Sequence, residues 1–196
     1  MDLITRIKNI LVSPKTEWQT IDGENDKNVA VLTKYVLLLA AIPALAAFIG
    51  YGVIGYSVYG HHFASVNWGV KQAIIQYITM VGGVYITALV INLLAENFGS
   101  KKSFDKAFSL VAYAYTPAFV GGIFYIYHSL SILASLASIY SLYLLYVGLA
   151  PIMKTPDDKR NSYFVVSLLV MVGAFIVLGI ILASIFIGSA YGAYRF

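Results

Sequence analysis

Four stretches without a charged side chain decide what this chain can become: residues 35–70, 72–95, 107–153 and 161–194. Each is longer than the roughly 20 residues that carry a helix across the hydrocarbon of a bilayer. With 60% hydrophobic and 11% charged residues, the chain departs from the roughly half apolar, quarter charged make-up of soluble domains. It could not keep an aqueous surface. The sequence specifies an all-α polytopic membrane protein.

The first window holds one span, about 35–59, because Gly60-His61-His62-Phe63-Ala64-Ser65-Val66-Asn67-Trp68 reads as a loop. The second is a single span, 72–95. A helix covering the 47 residues of the third window would be about 70 Å long, over twice the hydrocarbon thickness. It must be two spans, 107–127 and 130–150, parted at Tyr127-His128-Ser129. The last span is 163–187. Five spans follow a segment, 1–33, that reads as cytoplasmic and amphipathic, so the membrane domain is 34–196.

The cations orient the bundle. Arg6, Lys8, Lys15, Lys27 and Lys34 precede span one, Lys101, Lys102 and Lys106 follow span two, and Lys154, Lys159 and Arg160 follow span four. Only Lys71 and Arg195 fall on the other side. The positive-inside rule then predicts a cytoplasmic N-terminus and a periplasmic C-terminus. The net charge of +4 is spent on topology, and no nucleic-acid partner is expected. The first 30 residues carry acids and no apolar core before a cleavage site, so a cleaved signal peptide is not expected.

Leu3, Ile4, Ile7, Ile10 and Leu11 recur at the helical period, with Arg6 and Lys8 off that stripe. Such a helix suits the membrane surface, apolar side in the acyl boundary. Ser13-Pro14 reads as the cap and first position of a second short helix, and Trp18 suits the interface. The favoured expectation is an interfacial arm of Leu3, Ile7, Ile10, Leu11 and Trp18; the alternative is docking on the protein's own helices.

Pro43 and Pro117 fall inside spans one and three and are candidate kinks. Ser131, Ser135 and Ser138, with Ser184-x-x-x-Gly188-x-x-x-Gly192, offer small faces for close helix packing. Gly50-Tyr51-Gly52-Val53-Ile54-Gly55 fits a dinucleotide fingerprint, but that motif works only between a strand and a helix. Here it ends a membrane span. His61, His62 and His128 all lie in the outer loops; they are a speculative metal or pH-sensing set, without an outer carboxylate to support it.

The stronger constellation is within the membrane. Tyr113, Tyr115 and Thr116 in span three lie at the same depth as Tyr143 and Tyr146 in span four, with Asn92, Gln76, Thr79 and Thr87 on span two. Each hydroxyl needs a partner there. Hydrogen-bond glue between helices and the lining of a polar pathway are both open readings. Pro117 frees the carbonyl of Tyr113 as an acceptor. With no cysteine, no hydrolase, kinase or metalloprotease signature, and no acid or base deep in a span, neither enzyme nor cofactor is expected.

The sequence resembles the Yip (Ypt-interacting protein) family, and within it the small bacterial inner-membrane members. The likeness runs through Val12-Ser13-Pro14-Lys15, Val36-Leu37-Leu38-Leu39-Ala40-Ala41-Ile42-Pro43 and Ala112-Tyr113-Ala114-Tyr115-Thr116-Pro117. It continues in Tyr143-Leu144-Leu145-Tyr146-Val147-Gly148 and Tyr191-Gly192-Ala193-Tyr194-Arg195-Phe196. Eukaryotic members share Gly-Tyr-x-x-x-Pro; Tyr113 and Pro117 match it and Ala112 replaces the glycine. Their Asp-Leu-Tyr-Gly-Pro motif and the acidic domain linked to Rab GTPases are missing, so no Rab partner is expected. The resemblance implies a five-span fold in the bacterial inner membrane. The expected role is non-enzymatic, through contacts with lipid, other membrane proteins or a second copy; a small-solute or ion permease using spans two to four is the alternative.

Overall fold

The computed structural model describes residues 2–24, 26–58 and 61–186. Two short helices form the arm. Helix α1, Leu3–Val12, starts where the Asp2 carboxylate accepts a hydrogen bond from the Thr5 amide at 3.4 Å, relieving one orphan donor of the first turn. Helix α2, Pro14–Gly23, opens on proline, which loses nothing at a position without a helical N–H partner. Ser13 precedes it, but its side chain makes no capping bond.

Among the described residues, five helices long and apolar enough to cross a membrane follow: Asn28–Ile54, Val66–Phe98, Phe104–Ile126, His128–Met153 and Asp157–Ile185. The count agrees with the sequence reading, while the ends differ. Span one begins at residue 28 rather than 35, because a helix can carry Lys34 past the apolar boundary when its long stem lets the ammonium stay wet. The amide of Asn28 is anchored on the Asp105 carboxylate at 2.9 Å. Span one stops at Gly55, whose φ of +77° is open to glycine without the Cβ penalty. The residues beyond it are not a plain loop. Strands β1, Tyr56–Val58, and β2, His61–Phe63, pair as a short antiparallel hairpin with Tyr56 opposite Phe63.

Span three is the axis of the bundle: 78% of its most apolar window is buried, against 33% for span four and 17% for span five. Its α-helix breaks at Tyr115, just before Pro117, as a ring without an N–H favours. Span one, by contrast, stays α-helical through Pro43, which packs on Gly122 of span three. Between spans three and four only Tyr127 is extended, so the two run as antiparallel neighbours with Gly121 against Ala137.

On the hairpin side the bundle is knit by glycine. An added Cβ on Gly69 of span two would stand 2.5 Å from the Cα of Gly52 in span one, and Gly50 lies against the carbonyl of Tyr125. The fingerprint-like run is thus a set of helix-crossing glycines inside a membrane span. Of the Ser184, Gly188 and Gly192 series, only Ser184 falls among the described residues, and Tyr191-Gly192-Ala193-Tyr194-Arg195-Phe196 lies outside them. On the opposite side, Asp22 of the arm pairs with Lys154 at 2.6 Å and accepts from Lys106 through its backbone carbonyl at 2.6 Å. Lys27 faces Asp105 at 3.7 Å. The arm and the two loops richest in cations therefore meet at one end.

Candidate functional site

The arm is docked on the helices, which corrects the favoured expectation that its apolar stripe lies in lipid. Ile10 and Trp18 are completely buried and Ile21 nearly so; Leu3, Ile7 and Leu11 are half-buried against the same core. Trp18 enters a slot walled by Leu110 of span three and Gly148 of span four. Its indole N–H is buried without a hydrogen-bond partner among the described residues, so it is no wet interfacial anchor. Ile4 and Val12 are the apolar side chains that α1 leaves outside, both 73% exposed.

Polar contacts fix the dock at both helix ends. The Tyr140 hydroxyl of span four donates to the Leu11 carbonyl at 2.9 Å. Lys106 donates to the carbonyls of Asp22 and Glu24 at 2.6 and 2.8 Å. These are orphan acceptors at the C-termini of α1 and α2, where a cation also complements the helix dipole.

At the centre is a buried charge cluster that the sequence reading missed. The Arg6 guanidinium donates to Glu17 at 2.5 Å and to both Glu24 oxygens at 2.5 and 2.6 Å, and Asn9 donates to Glu17 at 3.0 Å. Arg6 and Glu17 are each 5% exposed at the side chain. The guanidinium carbon stands 5.1 Å from the centre of the Tyr113 ring, within cation–π range. Burial alone would depress the Arg6 pKa, but the hydrogen bonds to Glu24 and the charges around it hold it above its ordinary value. Glu17 within α2 and Glu24 just beyond its end, seven residues apart, were the available sequence signal for a shared cation.

The hydroxyl layer forms, with partners other than those the equal depth of spans three and four suggested. The Thr116 hydroxyl donates to the Tyr113 carbonyl at 2.6 Å, the acceptor that Pro117 frees. Its single proton is then used, so Tyr35 of span one is the donor in the 2.7 Å contact with Thr116. Tyr113 and Tyr35 meet edge to face at 4.8 Å. Tyr115 pairs with Thr87 of span two at 3.0 Å. Tyr143 is 46% exposed and stacks on Tyr140, while Tyr146 donates to Asn161 of span five at 2.6 Å. Neither reaches Tyr113 or Tyr115. The Asn92 side-chain oxygen is buried without a partner among the described residues.

The three histidines share the hairpin end of the bundle, where His62 and His128 line one cleft. His61 and His62 are exposed on β2, and His128 contacts Tyr51 at 3.5 Å. Among the described residues no group of three His, Cys, Asp or Glu side chains could hold a metal.

Two clefts flank span three. One, of about 410 Å³, lies between the arm, span one and span three and is lined by Asp2, Arg6, Asp26, Lys34, Tyr35 and Tyr113. The other, of about 300 Å³, lies between spans two, three, four and five around Thr87, Tyr115, Ser138 and Ser141.

Comparison with known proteins agrees with this architecture. The Yip1 domain family matches residues 8–192. Over 126 residues the chain is 30% identical to "Inner membrane protein YohC" of Escherichia coli strain K12, and equally to that of Escherichia coli O6:H1 strain CFT073. The match covers 63% of this chain and 65% of each relative, so it spans just under two thirds of those proteins. No solved structure matches the chain significantly.

Proposed function

This chain belongs to the Yip1 domain family and is a multi-pass inner-membrane protein; from that premise we propose that it works without catalysis, through lateral contacts with lipid and with other membrane proteins. The cleft between spans two to five carries the reading. Its mouth includes Ile139 and Leu142, 62% and 39% exposed, so it opens sideways. Four of its five hydroxyls are already engaged: Thr87 with Tyr115, Ser141 with the Ala118 amide at 3.2 Å, and Ser138 with the Ala134 carbonyl at 3.0 Å, Thr79 being the exception among the described residues. A groove whose polar groups are mostly satisfied internally presents apolar walls, which suit an acyl chain or an apolar helix face and offer little to a hydrated solute.

The eleven cations gathered at the arm's end support placing that end in the cytoplasm and the hairpin outside. The full-length protein, gently extracted and examined by native mass spectrometry, is expected to retain phospholipid or a membrane protein. Selective solute flux through proteoliposomes, blocked by filling the groove with Ser138→Phe, would instead support the permease reading.

A further inference from the structure

Three charged side chains of the arm-side cleft stand without ion-pair partners among the described residues. Lys34 of span one, Asp2 before α1 and Asp26 in the connection to span one all line this space, yet none is engaged in any of the salt bridges that tie the arm elsewhere. Both acids are held off the lysine although opposite charges in one cleft attract. Asp2 is occupied in capping α1, and Asp26 lies in the connection to span one. Behind them, Arg6 is matched twice over by Glu17 and Glu24. The cleft therefore presents a free cation on its membrane side and an excess of carboxylate on the other.

Lys34 also heads an apolar track. Leu38, Ala41 and Leu45 follow it on the same face of span one at helical spacing. That face runs into a furrow of about 330 Å³ between spans one and two, walled by Ala41, Ala44, Leu45, Ile74, Tyr77 and Ile78. Headgroup-sized polar space, a lysine at the apolar border and a chain-sized apolar furrow lie in sequence along one side of the protein.

We propose that this face binds a phospholipid with a primary-ammonium headgroup, its phosphate on Lys34, its ammonium between Asp2 and Asp26, and one acyl chain in the furrow between spans one and two. The proposal rests on the lipid-contact reading above and names the lipid. A primary ammonium donates hydrogen bonds to carboxylates, which a quaternary choline nitrogen does not. A purely anionic headgroup meets two aspartates with nothing to offer them.

The test is lipid retention by the full-length protein, read by native mass spectrometry after equal loading with phosphatidylethanolamine, phosphatidylcholine or phosphatidylglycerol of identical chains. The ethanolamine lipid is expected to be held about tenfold better than the choline lipid, the low end for a hydrogen bond to a charged group. Asp2→Asn with Asp26→Asn, in which asparagine still caps α1, is expected to erase that preference. Lys34→Gln is expected to weaken all three. All these side chains are exposed, and the wild-type comparison needs no variant. Equal retention of ethanolamine and choline lipids, or a preference that survives the double substitution, overturns the proposal and leaves the lipid-contact reading standing. Retention of no lipid overturns both. Displacement of bound lipid by an equal concentration of chain-free glycerophosphoethanolamine would show that a soluble headgroup is the ligand, and would also overturn it.

Discussion

The indole of Trp18 closes on Gly148 so tightly that a methyl group at residue 148 would stand 2.8 Å from Cε2. A tryptophan ring has no flexible end to swing away, so this slot takes either the ring or a larger residue 148. Gly148→Ala is expected to lower stability by about 1–3 kcal/mol, the usual cost of overpacking. Trp18→Ala is expected to cost about 3–5 kcal/mol. Thermal unfolding in detergent checks both, and limited proteolysis should cut first within the arm. A Gly148→Ala variant as stable as the parent would show that the slot is looser than described.

The Arg6 cluster is expected to respond asymmetrically. Arg6→Met leaves Glu17 buried and uncompensated, which typically costs about 3–5 kcal/mol. Adding Glu17→Met and Glu24→Gln removes the stranded charge and is expected to restore most of that loss, because apolar replacement of a buried ion pair is often neutral. If the single and triple variants unfold alike, the acids do not depend on Arg6.

At the break in span three, Tyr35→Phe and Thr116→Val remove opposite sides of one hydrogen bond. A double-mutant cycle on unfolding is expected to return a coupling of about 0.6 kcal/mol. Thr116→Val is expected to cost more than Tyr35→Phe, since it also strips the Tyr113 carbonyl of its donor. Additive effects would mean that the Tyr35 hydroxyl finds another partner.

Orientation is open to a direct check, because the chain has no cysteine to remove. Single replacements Lys101→Cys and Ser129→Cys lie at opposite ends of the bundle, and both positions are exposed. In intact spheroplasts, a membrane-impermeant maleimide is expected to label residue 129 and spare residue 101 until the membrane is opened. The reverse pattern would place the arm outside.

How far the sequence could be read follows from which interactions are local. Charge-free windows report transfer into lipid residue by residue, and they located all five spans. The ends were less legible, because a lysine such as Lys34 extends a helix past the boundary that its charge marks. The stripe of Leu3, Ile7, Ile10 and Leu11 was visible, but an apolar face looks the same whether lipid or protein covers it. What settles the matter lies more than a hundred residues further on, where Tyr140 holds the Leu11 carbonyl and Gly148 receives Trp18. In the tyrosine layer, depth could be counted along each helix. Rotation about the helix axes could not, and it turns Tyr113 towards Tyr35 and Tyr115 towards Thr87 rather than towards span four. The hairpin of Tyr56–Val58 and His61–Phe63 is too short for a period of two to stand out.

The glycine crossings at the hairpin side bear on how such a chain can change over time. Gly52 and Gly69 set one backbone against another, and Gly50 meets the main chain of Tyr125. Main-chain atoms cannot rotate aside as side chains do, so a larger residue on one helix is not absorbed by adjustment on its neighbour. Descendants of this sequence are therefore held at these positions unless two helices move apart together, whereas a change in the arm-side contacts, built largely from side chains, can be answered by a matching change in the partner side chain.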